Sequence, residues 1–107
     1  MKSRGETELD DLERVFGALA HATRRHILIV LRFRGGRMTA GDIVARFHCS
    51  WPTITRHLGV LEDAGLVSVE ESGRQRTYVL NAARLRKVVG EWLHWFDPHP
   101  DQTDQGE

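Results

Sequence analysis

Residues 48 to 50, His-Cys-Ser, set an imidazole, the only thiol of the chain and a hydroxyl side by side, the groups that metal binding, thiolate redox chemistry or nucleophilic catalysis would use. Each of those chemistries needs further partners. A structural zinc site takes four nitrogen or sulfur ligands, and a regulatory site takes three or four that converge. One cysteine allows neither an internal disulfide nor a thiolate cage. The remaining histidines, His21, His26, His57, His94 and His99, are scattered, and Glu91 with His94 lacks a second matched ligand pair. Ser50 beside His48 has no oxyanion-hole motif and no third orienting group, and there is no glycine-rich phosphate loop. The expectation is a protein without catalytic residues, metal ligands or cofactor. Two alternatives stay open: a metal site completed between two chains, and a redox response of Cys49, since an exposed thiol near a helix N-terminus is activated.

The same three residues also read as the approach to a helix. Ser50 is placed to cap it by accepting from the Thr53 N–H, and Pro52 is tolerated in a first turn that needs no intrahelical donor. Cys49 and Ile54 occupy the N′ and N4 places of a hydrophobic staple, so the thiol is expected to pack as a small apolar group and His48 to lie in the turn. Gly65 ends the helix. Just upstream, Thr39 and Asp42 resemble a capping box for a helix of about two turns with Ile43, Val44 and Phe47 on its inner face. Two short helices joined by a tight turn make a helix-turn-helix.

The flanking elements follow from periodicity. Leu9, Leu12, Val15, Phe16 and Leu19 predict an amphipathic helix over 7–20. The run "TRRHILIVLRF" is apolar on every side in its middle, which predicts a central helix, ended by Gly35 and Gly36. After Gly65, "LVSVE" and "RQRTYVL" predict a hairpin turning at Glu71, Ser72 and Gly73. Asn81 caps a last helix over 82–97, with Leu85, Val88, Val89, Trp92, Leu93, Trp95 and Phe96, and Pro98 stops it. The fold class is mainly α with a β-hairpin: four helices, the hairpin and a C-terminal helix. Residues 1–6 are expected to be a flexible N-terminus, 7–97 one domain and 98–107 a disordered acidic tail.

For a chain of 107 residues, a formal net charge of zero argues by itself against a nucleic-acid partner. The charge is segregated, however. Residues 14–96 carry 13 Lys/Arg against 6 Asp/Glu, whereas residues 1–13 and 97–107 are net acidic. Twelve of the 13 are arginine, whose planar fork suits bidentate contacts to phosphate and guanine. No window approaches the roughly 18 uninterrupted apolar residues of a membrane span, and the amino end has no apolar signal region. A cytoplasmic, nucleoid-associated location without membrane contact is expected.

On a helical wheel Ile54, Leu58 and Leu61 face inward, leaving Pro52, Arg56 and Gly59 opposite, flanked by Thr53 and Thr55. That outer face has no acid before Glu62. It offers an arginine for guanine N7/O6 and hydroxyls for adaptable bonds or thymine methyl contact, which is what a helix in the major groove requires. His57 lies on the flank, to pack there or to bind a phosphate. Arg74 and Arg76, two apart on one strand, point to one face and would reach phosphates or a narrow minor groove.

The blocks "ALAHATRRHILIVL", "SWPTITRHLGVLEDAGLV" and "GRQRTYVL" resemble the bacterial ArsR/SmtB-type winged helix-turn-helix repressors, in the expected order over about residues 12 to 96. The resemblance implies a homodimeric repressor of an inverted-repeat operator in double-stranded DNA, with residues 51–63 in the major groove and the hairpin around Gly73 as wing. Trp51, Thr53, Thr55 and Arg56 match the family's recognition-helix positions, with Ser50 and His57 beside them. Arg74 and Arg76 match its wing arginines. The paired cysteines that the family's metal sensors carry at the start of the third helix are missing from "TAGDIVARF". A metal- or redox-responsive repressor, or a protein-interaction module of the same fold, is the alternative; no inducer is indicated.

A dimer is also argued from the residues. The apolar positions of the last helix spread over about 160° of the wheel, wider than one core needs. Trp92, Trp95 and Phe96 are anchors of the kind interfaces favour, and Val88 with Leu9, Leu12 and Phe16 of the first helix is expected to complete the surface.

Overall fold

Ser3 opens α1 (Arg4–Leu19) with a reciprocal capping box: its hydroxyl accepts from the Glu6 N–H, and the Glu6 carboxylate accepts from the Ser3 N–H. The helix therefore begins three residues before the expected start at 7. Periodicity can register a helix only from its first apolar residue, Leu9, while the cap lies six positions upstream. The computed structural model describes residues 3–98. All but Pro98 of the expected tail, with His99, lies outside the described residues.

His21 caps α2 (Ala22–Phe33), its Nδ1 accepting from the Thr23 N–H at 3.1 Å. Two arginines of α2 then reach back to the end of α1. Arg24 Nε and Nη2 donate to the carbonyls of Ala18 and Gly17 at 2.8 and 3.2 Å, and Arg25 Nη1 donates to that of Leu19 at 2.8 Å. The last turn of a helix leaves carbonyls without intrahelical donors and carries partial negative charge, so cations are well placed there. α2 is not the all-round buried helix its composition predicts. Ile27, Leu28 and Leu31 enter the core, but Ile29 is exposed and Phe33 is 83% exposed. α1, α4 and the sheet pack on the face that carries these three residues, and no other element of the described chain covers the opposite one.

Gly35 and Gly36 adopt φ of 84° and 86°, conformations that L side chains rarely take, and turn the chain into a strand the sequence does not reveal, β1 (Arg37–Thr39). Three residues are too few for a period-two pattern to register. β1 pairs antiparallel with β3 (Gln75–Leu80), which pairs on its other edge with β2 (Val67–Ser72), giving the order β1-β3-β2. The hairpin is thus the larger part of a three-stranded sheet. Met38 lies opposite Tyr78 across β1 and β3, and both are buried.

Thr39 accepts from the Asp42 N–H and starts α3 (Ala40–Val44), shorter than the two turns expected; Ile43 is buried. Ser50 starts α4 (Trp51–Asp63), and Asn81 starts α5 (Ala82–His94) by accepting from the Arg84 N–H. α4 runs through the middle of the molecule. Its Ile54, Leu58 and Leu61 are at most 1% exposed and meet Val15 of α1, Leu31 of α2, Ile43 of α3 and Leu66 in one core. Burial of that stripe determines which face of α4 is left for solvent.

Candidate nucleic-acid interface

The Ser50 hydroxyl does two things at the head of α4: it accepts from the Thr53 N–H at 3.3 Å and donates to Thr53 Oγ1 at 3.0 Å. Thr53 is in consequence half-buried and committed to the cap, whereas Trp51, Thr55 and Arg56 are exposed. Cys49 is partly buried and packs against the core to which fully buried Ile54 belongs, as a small apolar group would, and His48 is exposed in the turn.

Trp51 leans on α3. Its ring atoms stand 3.8 Å from the point where a Cβ on Gly41 would lie, an ordinary contact, and its other side stays open to solvent. Trp51, Gly41, Arg74, Gln75 and Arg76 line a cleft of about 410 Å³ between the head of α4 and the hairpin. The tertiary fold brings the aromatic Trp51 and the basic Arg74 and Arg76 together from opposite ends of a 26-residue stretch.

The wing differs from its expected form in one respect. Arg74 is not on the strand with Arg76: β2 continues to Ser72, β3 begins at Gln75, and Arg74 shares the two-residue turn with Gly73, whose φ is 61°. A two-residue hairpin turn of this kind needs positive φ, which glycine supplies. Arg74 is carried to the tip, and Arg76 stays on the strand with its guanidinium 5.6 Å from the centre of the Tyr78 ring and Nε 3.8 Å from Glu71. Glu70 is paired with Arg37 of β1. Both carboxylates of the wing thus face a guanidinium.

His57 does not belong with the outward residues of α4. It is 8% exposed and turned toward the junction of α1 and α2, because the wheel position that flanks Ile54 and Leu58 is covered there. Its Nδ1 lies 3.2 Å from Arg24 Nη1, and its ring packs on that of His21 with centroids 4.4 Å apart. Burial first, then the charges of His21, Arg24 and Arg56, push its pKa down from the ordinary 6.5. It holds α4 from within and is not presented to a ligand. Arg24, which ties three helices together here, has no signature in the sequence: its partner on α4 is 33 positions away.

At the opposite side of the molecule, α1 and α5 leave a groove of about 420 Å³ whose apolar wall includes Leu9, Leu12, Val88, Trp92 and Trp95, with charged groups of both signs around it. Val88, expected to serve a dimer, is instead largely taken into the core of the single chain, and Leu12 packs against that core. Phe16 meets Trp92 edge-on at 5.1 Å, and Trp92 meets Phe96 at 5.0 Å. Leu9, Trp95 and Phe96 remain uncovered, the last two 84% and 69% exposed. α5 itself stops at His94, three residues before the expected end, and His94 Nδ1 turns to Asp97 Oδ2 at 2.9 Å rather than to Glu91. Among the described residues no three His, Cys, Asp or Glu side chains are grouped as metal ligands would be, and no helix is long and apolar enough to cross a membrane.

A helix-turn-helix domain model matches residues 19–70, which span α2 to β2. The transcriptional repressor SdpR of Bacillus subtilis is 37% identical over 80% of this chain and 93% of its own length. Among solved structures, a crystal structure described as an ArsR-family transcriptional regulator superposes with a TM-score of 0.72 at 28% identity, covering 92% of this chain and all of the other. The homodimeric winged helix-turn-helix DNA-binding domain of a possible ArsR-family regulator from Mycobacterium bovis shares the fold, with a TM-score of 0.69 at 22% identity over 98% of this chain and 96% of that one. Similarity of this extent, with the capped α4 and the arginine-bearing wing in their places, makes the chain a member of the ArsR/SmtB family of winged helix-turn-helix transcriptional regulators.

Proposed function

We propose that the chain is a homodimeric repressor that reads an inverted-repeat operator in double-stranded DNA, acting at the chromosome in the cytoplasm. The observation that carries this reading is the shared cleft: Trp51 at the head of α4 and Arg74 and Arg76 of the wing line one opening, with Thr55 and Arg56 exposed on the same helix. Arg56 and Thr55 supply base-edge contacts in the major groove, where an arginine fork reads guanine. Arg74 and Arg76 contribute phosphate contacts, which set position and affinity without reading sequence. SdpR, the relative named above, is a repressor, and the same sign of regulation is proposed here.

The uncovered Leu9, Trp95 and Phe96 beside the α1–α5 groove support the dimer. Three large apolar groups held together in solvent are characteristic of an interface rather than of an ordinary surface. A two-fold operation through this face would bury them and set two α4 helices on successive turns of one face of DNA, about 34 Å apart.

The test is selection from a library of random duplexes with the purified protein. Enrichment of a sequence with two-fold symmetry, bound with an affinity that falls steeply with salt, is the expected result. Binding that is indifferent to both sequence and salt would overturn the reading.

A further inference from the structure

His21 and His57 meet with ring planes tilted by 51°, which joins the cap of α2 to the inner side of α4. Both rings use Nδ1 as an acceptor, His21 toward the Thr23 N–H and His57 toward Arg24. A guanidinium only donates, so Nδ1 of His57 must carry its lone pair and the neutral ring keeps its hydrogen on Nε2. The same guanidinium is anchored on the Gly17 and Ala18 carbonyls of α1. Through Arg24 and His57, the dimer-side helix α1 therefore holds the helix that carries Trp51, Thr55 and Arg56.

That arrangement tolerates only one protonation state. An imidazolium has N–H at Nδ1, which would point a hydrogen at the Arg24 donor and set a cation among cations. Among the described residues, the charged and titratable groups acting on His57 are His21 and Arg24 on the α2 side and Arg56 on its own helix, and none of these is an acid. α1 offers Arg24 the carbonyls of Gly17 and Ala18, and among the described residues no charged group of α1, α3 or β2, which also pack on α4, figures among those that act on the ring.

We propose that Arg24 and His57 are positioning residues for DNA reading, forming with His21 a proton-responsive latch that holds α4 in its reading posture and releases it on acidification. The proposal rests on the DNA-binding function above. Burial and the surrounding cations keep the ring neutral near neutrality and place its protonation below the ordinary imidazole range. The effect runs against the usual one, in which protonating histidines tightens binding to a polyanion, and this difference of sign makes it testable.

The experiment measures affinity for the duplex selected at about pH 7.5, repeated at steps down to about pH 5.5, for the wild type, His57→Asn and Arg24→Lys, with circular dichroism at each step. Asparagine places an oxygen near the position of Nδ1 and does not titrate. The wild type is expected to lose on the order of tenfold in affinity with its helical signal intact, within the usual range of coupling between two sites, while His57→Asn varies less than about twofold. Arg24→Lys retains a cation but cannot span the carbonyls and the ring together, so it is expected to bind weakly already at the upper pH.

A wild type whose affinity is flat or rises on acidification overturns the latch, as does a His57→Asn variant that repeats the wild-type loss. NMR of the free protein provides a second readout that does not require the variant to fold or DNA to bind. Amide shifts along α4 must follow the titration of the His57 ring, and α4 resonances that stay still while that ring titrates overturn the latch. Failure to bind any duplex at the upper pH with α4 still following the ring would count against the DNA-binding function alone.

Discussion

The guanidinium stem of Arg84 occupies the space where Gly65 would carry a side chain. Arg84 Nε donates to the Ala64 carbonyl at 2.8 Å, and a Cβ on Gly65 would come within 2.5 Å of that nitrogen and 2.7 Å of Cδ. Arg84 also pairs with Asp11 of α1 at 3.2 Å, so one side chain closes the end of α4 against α5 and α1. Gly65 is required there twice over, by this contact and by its φ of 76°.

Gly65→Ala is therefore expected to destabilise the fold by about 1–2 kcal/mol from the positive φ alone, with a further loss from displacing Arg84. Denaturant unfolding of Gly65→Ala, Arg84→Ala and the double variant checks it. The double variant should lose less than the two single losses added together, because with Arg84 removed the new methyl has room.

Arg56→Ala and Arg76→Ala should separate the two kinds of DNA contact. The first is expected to cost about 1–3 kcal/mol on the selected duplex and to relax preference at one base pair, and the second to weaken all duplexes alike and to lower the salt slope by about one. Titrations on selected and scrambled duplexes at several salt concentrations distinguish them. Equal losses on both duplexes for both variants would remove the division of labour.

Trp95→Glu and Phe96→Glu should yield folded monomers. Both side chains are largely exposed in the single chain, so little folding energy depends on them, while a buried carboxylate in a two-fold interface is costly. Sedimentation at micromolar concentration is expected to show a dimer for the wild type and a monomer for the variants, with unfolding midpoints at high dilution nearly unchanged. A wild-type monomer under those conditions would contradict the assembly.

His57 also predicts how stability depends on pH. Its folded pKa lies below the ordinary 6.5, so between those two values the unfolded chain binds the proton more readily. Stability contributed by this group is full above the ordinary value, falls as pH drops through it, and levels off beneath the folded value. Thermal unfolding of wild type and His57→Asn from about pH 8 to pH 5 should show the two curves converging or crossing toward acid.

Much of this protein was legible in the sequence because its decisive signals are local. Ser50, Thr39 and Asn81 cap helices through bonds to residues three positions on, and such bonds form wherever the helix forms. Stripes such as Ile54, Leu58 and Leu61 reveal a buried face, and by elimination the face left outside, so the outward placement of Thr55 and Arg56 follows from hydrophobic periodicity, whereas Trp51 is reached only through the family resemblance and Thr53 is drawn half inside by its cap. The same local signals lead Cys49 to be expected as a small apolar group before a capped helix, with a redox response as the alternative.

What only tertiary structure decided are relations between residues far apart in the chain. β1 is three residues long and exists because β3 offers it an edge, and no periodicity marks it. His57 sits on the border of a wheel where sequence permits either face, and it is the covering surface of α1 and α2, with Arg24 33 positions away, that turns it inward. Val88 and Leu12 were as eligible for an interface as Trp95 and Phe96. The core of the single chain took the first pair, because the packing distance between α1 and α5 admits only the residues nearest their line of contact and leaves the end of α5 uncovered. Spacing along a chain determines which side chains share a face, but what that face meets depends on elements whose approach no local pattern encodes.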